Sequence, residues 1–193
     1  GVLRGIDRDT FAIVHDWPVP SNYGVSVDFF GNVWAVNGNG AHRVDPDTGT
    51  VLAVNGEIYN HVNLKEGGAK GPCGDYPFQS GSDCEVILAL YRKHGRELVQ
   101  HLSGMYAFVL FDPRDSTWII ARDPIGIIPL YHGTDGHGRI WVASEMKALM
   151  DTCDDVRVFP PGRVWTSSEA EPAAFYQRDW MEGELPDHPY RPE

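Results

Sequence analysis

Hydrophobic and polar positions change their spacing along the chain, and each spacing predicts a type of element. Between residues 1 and 50, short β-branched and aromatic runs alternate with Gly, Asp and Pro, a pattern typical of a β-meander. Near-continuous apolar runs over 105–112, 117–123, 129–133 and 139–145 predict strands covered on both faces or nearly so. A short helix is predicted over 145–150 and a hairpin-like pair of strands over 156–166.

A helical period replaces the strand pattern over 80–95. Apolar residues recur there at three- and four-residue spacing and form one helix face: Ile87, Leu90, Tyr91 and His94. Ser82 and Glu85 have the spacing of a capping box, and Gly95 favours a C-terminal stop. Segment 62–77, rich in Gly and Pro, predicts a loop, and 169–193, rich in Glu and Pro, a linker or tail. The elements together indicate an α+β or layered α/β/β/α fold.

One motif occurs twice, as VWAVNG at 33–38 and VLAVNG at 51–56. Both copies could be hairpin strands that end in Asn-Gly turns. In the second copy the strand is predicted to break at Asn55, Gly56 and Glu57, which supply an amide side chain, a glycine N–H and a carboxylate in succession. The alternative to a hairpin turn is an oxyanion hole beside a substrate carboxyl or amide.

Composition removes several classes of partner. The 193 residues carry a formal net charge of −11, and no cluster of Lys and Arg that would favour nucleic acid. No apolar run approaches the roughly 18–20 residues of a membrane helix, and the first 20 residues lack a signal-peptide layout. Cys73, Cys84 and Cys153 form neither a metal-type pair nor a disulfide framework. We therefore expect a soluble cytoplasmic protein without a metal site.

Four segments carry a family resemblance: VNGEIYNH (54–61), SGSDCEVILALY (80–91), RDPIGIIPLY (122–131) and ASEMKAL (143–149). Together they resemble the glutaminase domain of class II, N-terminal-nucleophile glutamine amidotransferases, most closely that of glutamine-hydrolysing asparagine synthetases. The resemblance covers roughly residues 51–180. It implies an αββα sandwich, here incomplete at its N-terminus, that binds L-glutamine and supplies ammonia to a synthetase domain.

The resemblance also implies roles for four residues. The Asn55 side chain and the Gly56 N–H would form the oxyanion hole, Glu57 would contact substrate, and Asp83 would pair with the α-amino group of glutamine. Alternatives stay open for two of these roles: Asn55 and Gly56 could form only a turn, and Asp83 could only favour the helix dipole.

Other matched positions are expected to be structural. Arg122, Asp123 and Gly126 are expected to hold a turn rather than contact substrate, and Cys84 to pack rather than act as nucleophile. No cofactor is expected in this chain, because ATP and Mg²⁺ would belong to the synthetase domain. A homodimer is left open.

The match departs from the family at the nucleophile, which is an N-terminal cysteine with its own α-amine as base. Gly1 supplies no thiol, and the Arg-bearing loop that clamps the substrate carboxylate is absent, so we expect little glutaminase activity. Residues 1–50 instead resemble a β-propeller repeat of the lactonase or lyase type. The expected units are 1–50, 51–168 and a tail at 169–193.

Three alternatives to an enzyme-derived, glutamine-binding domain stay open. The chain could be a non-catalytic small-molecule or protein binding module. It could be a chimeric or truncated product without function. Residues 1–50 could also replace missing strands of the family sheet, which would require a matching register.

Overall fold

A computed structural model of the chain describes five N-terminal strands by their backbone, and residues 48, 50–78 and 81–176 in full. The strands are β1 (Val2–Ile6), β2 (Ile13–Pro18), β3 (Gly24–Val27), β4 (Val33–Asn37), β5 (Gly40–Val44), β6 (Val51–Ile58), β7 (Gly104–Asp112), β8 (Thr117–Arg122), β9 (Tyr131–Thr134), β10 (Ile140–Ala143), β11 (Asp155–Val158), β12 (Arg163–Thr166) and β13 (Ala173–Ala174). The helices are α1 (His61–Lys65), α2 (Glu85–His94) and α3 (Lys147–Met150), with 3-10 helices at Gly68–Lys70 and Gly95–His101.

Most of the strands belong to one antiparallel sheet, in the order β13-β12-β8-β7-β6-β5-β4-β3. A second sheet has β9 between β10 and β11, and β1 pairs with β2 alone. The meander predicted before residue 50 therefore includes β3–β5, and these strands extend the main sheet. The join with β6 consists of the pairs Arg43↔Leu52 and Val44↔Val51.

The predicted helix over 80–95 is confirmed as α2. Gly95 ends it with a positive φ of 56°, and its N–H donates to the Tyr91 carbonyl. The helix begins at Glu85 with Cys84 at the N-cap position, two residues later than a capping box with Ser82 as N-cap predicts. The N–H groups of Val86 and Ile87 donate to the carbonyls of Asp83 and Cys84, three residues earlier, so the first turn has the tighter hydrogen bonding of a 3-10 helix.

Both faces of the main sheet are covered, as its apolar strands predict. On one face α2 contributes Val86, Ile87, Leu88, Ala89 and Leu90 to a core that also contains Tyr106, Phe108 and Leu110 of β7. On the opposite face, Ala107 and Ile120 pack with Leu130, Phe159 and Trp165. Alternate β7 residues thus serve opposite cores, as the two-residue period of a strand requires. The predicted α+β class is confirmed.

Two local predictions are wrong. The segment 62–77 is not all loop, since α1 extends to Lys65 and a 3-10 helix follows at Gly68–Lys70. The strands within 156–166 do not form a hairpin: β11 pairs with β9 in the small sheet, and β12 pairs with β8 in the main one. A chain that passes from one sheet to another satisfies its backbone hydrogen bonds with distant strands rather than neighbouring ones.

The divisions expected after residues 50 and 168 stay predictions. Beyond 168, the Glu169 carboxylate accepts hydrogen bonds from the Thr166 N–H and hydroxyl, and β13 pairs with β12. In the part of the chain that the structure describes, no helix has the length and apolar character needed to cross a membrane.

Candidate active site

The three residues Asn55, Gly56 and Glu57 lie inside β6 rather than at a turn. They stand opposite Ala107, Tyr106 and Met105 of β7, in a register without interruption from Val51 to Ile58. The predicted strand break and hairpin turn are therefore wrong here, because β7 supplies partners along the whole of β6. The earlier copy of the motif differs: β4 pairs with β5, the next strand along the chain, from Val33↔Val44 to Asn37↔Gly40.

Glycine is required at position 56. Its φ is +128°, and a Cβ there would lie 2.0 Å from the Met105 carbonyl oxygen and 2.7 Å from the Tyr106 Cα. Both the dihedral and the space exclude a side chain. This close approach of β6 to β7 falls between the exposed side chains of Asn55 and Glu57.

Asn55 extends its amide toward the small sheet. Its Nδ2 donates a hydrogen bond to Ser144 Oγ, 3.3 Å away. Ser144 directly follows β10, so one hydrogen bond links the main sheet to the small sheet beside Gly56. Sequence reasoning identified the segment around Ser144 without assigning the serine a role.

Asp83 lies at the end of β6, although 25 residues separate it from that strand. Its Oδ2 accepts a 2.6 Å hydrogen bond from the Ile58 N–H. If Asp83 only favoured the dipole of α2, its carboxylate would interact with that helix, whereas here it accepts a hydrogen bond from β6. Among the described residues Oδ1 accepts no hydrogen bond, so one carboxylate oxygen can receive a cationic group.

Cys84 packs behind the same strand. Its Sγ is 3.8 Å from the Gly56 carbonyl oxygen and 3.6 Å from Asp83 Oδ2. Burial raises the pKa of the thiol to about 12, and the negative charges of Asp83 and Glu57 act in the same direction. Cys84 packs against the core beside α2, as predicted, and its raised pKa disfavours the thiolate that a nucleophile needs.

The other two cysteines are also protonated and packed. Cys73 is buried in the core beside α2, and burial raises its pKa. Cys153 packs against Gly133 of β9, where a Cβ would come within 2.9 Å of its sulfur, and its pKa is raised too. Among the described residues, no three His, Cys, Asp or Glu side chains are grouped to hold a metal ion.

The loop after β8 is held by Arg122, the last residue of the strand, and by Asp123, the first residue of the loop. The Arg122 guanidinium donates to the carbonyls of Ile128, Phe159 and Gly126 at 2.6–2.8 Å. Asp123 accepts from four successive backbone N–H groups, those of residues 125–128. Gly126 has a φ of +74° and packs against Pro161. The structural role predicted for Arg122, Asp123 and Gly126 is confirmed.

An open groove of about 490 Å³ lies beyond the end of β6. Tyr59, Leu102, Ile125 and Phe175 contribute apolar surface to it. The groove contains none of the four predicted site residues, so volume alone does not mark the candidate site. The site is defined instead by donors and acceptors on β6 and on the loop before α2.

The fold is that of N-terminal-nucleophile amidotransferases. A solved glutamine phosphoribosylpyrophosphate amidotransferase from B. subtilis, complexed with ADP and GMP, has a TM-score of 0.56 and 25% identity to this chain. That comparison covers 74% of this chain and 30% of the other. An allosteric regulatory enzyme of purine biosynthesis shares the fold at a TM-score of 0.54 and 22% identity, over 80% and 31% of the two chains.

Sequence comparison narrows the class. The glutamine amidotransferase domain family model matches residues 36–167. Asparagine synthetase B [glutamine-hydrolyzing] of Escherichia coli (strain K12) is 51% identical over 133 residues, 68% of this chain and 23% of the relative. Asparagine synthetase [glutamine-hydrolyzing] 2 of Arabidopsis thaliana is 46% identical over 146 residues, which are 76% of this chain and 24% of the relative. The chain belongs to the glutamine amidotransferase domain family, in its asparagine synthetase branch, and spans about a quarter of these relatives.

Proposed function

We propose that the chain binds L-glutamine at the end of β6 and corresponds to the amidotransferase unit that, in an intact asparagine synthetase, supplies ammonia to a synthetase domain. The observation that carries the proposal is the adjacency of Asn55, Gly56 and Asp83, joined by the 2.6 Å hydrogen bond from Ile58 N–H to Asp83. The fold thus brings a carboxylate from the loop before α2 to the strand that carries the amide donors. That combination suits a molecule with a carboxamide at one end and an ammonium at the other.

Each group has a chemical task in this proposal. A side-chain N–H of Asn55 and the backbone N–H of Gly56 donate hydrogen bonds to the oxygen of the glutamine side-chain amide, the atom on which negative charge would develop if a nucleophile attacked. Asp83 Oδ1 accepts from the α-ammonium group, a charge-assisted hydrogen bond. Glu57, exposed on the same strand, contacts the substrate from the neighbouring position.

Glutamine titration by isothermal calorimetry tests the binding proposal, with Asp83→Asn as the informative variant. Asparagine keeps an oxygen that accepts the Ile58 N–H but removes the charge, so loss of affinity reports ammonium recognition rather than strand geometry. We expect affinity to fall by about 10- to 100-fold, the worth of a hydrogen bond to a charged group. Asp75→Asn, an exposed carboxylate in the loop before α2, is the matched control and should bind as the wild type does. Equal affinity in all three proteins would refute the role of Asp83.

We further propose that this polypeptide hydrolyses glutamine negligibly. In support, burial raises the pKa values of Cys73, Cys84 and Cys153, which disfavours the thiolate that attack on the amide needs. A coupled ammonia assay should give the buffer background for the chain and for Cys84→Ala alike. Release well above background that disappears in Cys84→Ala would refute the proposal and make Cys84 the nucleophile.

A further inference from the structure

The contact between Asn55 and Ser144 joins two parts of the chain that are 89 residues apart. Asn55 belongs to β6 of the main sheet, and Ser144 follows the last residue of β10 in the small sheet. The position of Ser144 is set by its own neighbours: Ala143 pairs with Tyr131 of β9, and α3 begins three residues later at Lys147. The serine hydroxyl is therefore presented to Asn55 by a separate structural unit.

An asparagine amide on an exposed strand needs such a partner if it is to act as a fixed donor. Asn55 is exposed, and two side-chain torsions separate its amide from the backbone. Donors that stabilise an oxyanion are effective because they are oriented before the reaction. An amide nitrogen carries two N–H groups. When Ser144 Oγ accepts one of them, the other is held in a defined direction and stays available.

We propose that Ser144 is a positioning residue: it holds the Asn55 amide so that its second N–H is directed at the carboxamide oxygen of bound glutamine. The inference rests on the proposed glutamine site, and it gives a role to the ASEMKAL segment, which the sequence identified without a function. Ser144 touches Asn55 and not the substrate. Its removal should act only through Asn55.

The first test observes the amide directly in the ligand-free chain. A ¹H–¹⁵N correlation spectrum contains one pair of signals for each asparagine side chain, and the Asn55→Ala variant identifies the pair from Asn55. In Ser144→Ala we expect this pair to move toward the shifts of a freely rotating amide, and in Ser144→Thr, which keeps the hydroxyl, to stay near the wild-type shifts. Ser167→Ala, at an exposed serine after β12, is the control and should leave the pair unchanged.

The second test is a double-mutant cycle on glutamine affinity, measured by calorimetry on the whole chain. Ser144→Ala should weaken binding by about 2- to 10-fold, the range for one hydrogen bond, and Ser144→Thr should restore most of it. In the Asn55→Ala background the serine substitution should have no further effect, because the amide through which it acts is gone.

The outcomes separate the two proposals. Unchanged Asn55 amide signals in Ser144→Ala, or a loss of affinity that persists in the Asn55→Ala background, overturn the role of Ser144 while the glutamine site stands. A wild-type chain that binds no glutamine overturns the proposed site and the positioning role with it. Shifted amide signals together with a non-additive cycle support both.

Discussion

Replacing Gly56 with alanine should destabilise the main sheet severely. The new methyl group would lie 2.0 Å from the Met105 carbonyl oxygen, and the backbone would keep a φ of +128° that L-residues rarely adopt. Backbone strain of this kind costs about 1–3 kcal/mol and overpacking about the same, so the free energy of unfolding should fall by about 2–6 kcal/mol. With a urea m-value of about 2 kcal/mol/M, the midpoint falls by roughly 1–3 M.

Gly68→Ala is the matched control. Gly68 also has a positive φ, +51°, but a Cβ there would have no atom within 4 Å. This variant carries backbone strain without overlap, about 1–2 kcal/mol. Urea unfolding followed by tryptophan fluorescence reports on the sheet, because Trp118 and Trp165 pack edge to face with ring centroids 5.2 Å apart. If both variants unfold at the same urea concentration, the close approach of β6 to β7 at Gly56 is refuted.

Three further predictions concern stability and reactivity. Arg122→Lys should lower the free energy of unfolding by about 2–4 kcal/mol in urea denaturation, because the donors of an ammonium radiate from one nitrogen and cannot match three nitrogens that reach three separate carbonyls. Arg163→Lys, at a half-buried arginine with one 3.5 Å bond, should change it little, and equal losses would contradict this reasoning. Tyr106→Phe should be neutral or stabilise the fold by up to about 1 kcal/mol, since the buried Tyr106 hydroxyl has no partner among the described residues. Tyr91→Phe loses a 2.9 Å hydrogen bond to the buried Asp112 carboxylate and should destabilise the fold. A destabilised Tyr106→Phe would reveal a partner for that hydroxyl. Iodoacetamide at pH 8 should alkylate Cys84 roughly a thousandfold more slowly in the native chain than in urea, as peptide mass spectrometry would measure, and comparable rates would contradict a raised pKa.

The raised pKa of Cys84 also makes the stability of the fold depend on pH. The folded chain holds the thiol proton more tightly than the unfolded chain, whose thiol has the ordinary pKa of 9.0. Its contribution to stability is therefore complete below pH 9 and lost as the pH rises toward 12. We expect wild type to lose more stability than Cys84→Ala between pH 8 and 11, measured by urea midpoints, and parallel losses would contradict the assignment.

Local patterns predicted the elements whose partners are close or whose period is strong. The apolar spacing of Ile87, Leu90 and Tyr91 was sufficient for α2, because a helix makes its hydrogen bonds within itself. The apolar run of β7 likewise predicted a strand covered on both faces. These predictions needed no information about the rest of the chain.

The predictions that failed depended on partners far away in the sequence. Asn55-Gly56 has the local chemistry of a turn, yet pairing with β7, about 50 residues on, keeps it in a strand. The strands within 156–166 look like a hairpin until β8 and β9 compete for them. Family resemblance supplied the residue types of the candidate site. It did not supply the bond from Ile58 to Asp83 or the one from Asn55 to Ser144, which only the tertiary fold creates.

The loop held by Arg122 and Asp123 has a consequence for how this surface can vary. Every bond that shapes residues 125–128 uses their backbone N–H and carbonyl groups, and the side chains that bind those groups lie at 122 and 123. Ile125 and Ile127 are 75% and 53% exposed, and none of these bonds uses their side chains. Any residue but proline supplies the same backbone donors, so these two positions can be exchanged while the loop keeps its shape. The surface at positions 125 and 127 can therefore change its side chains without changing the backbone of the loop.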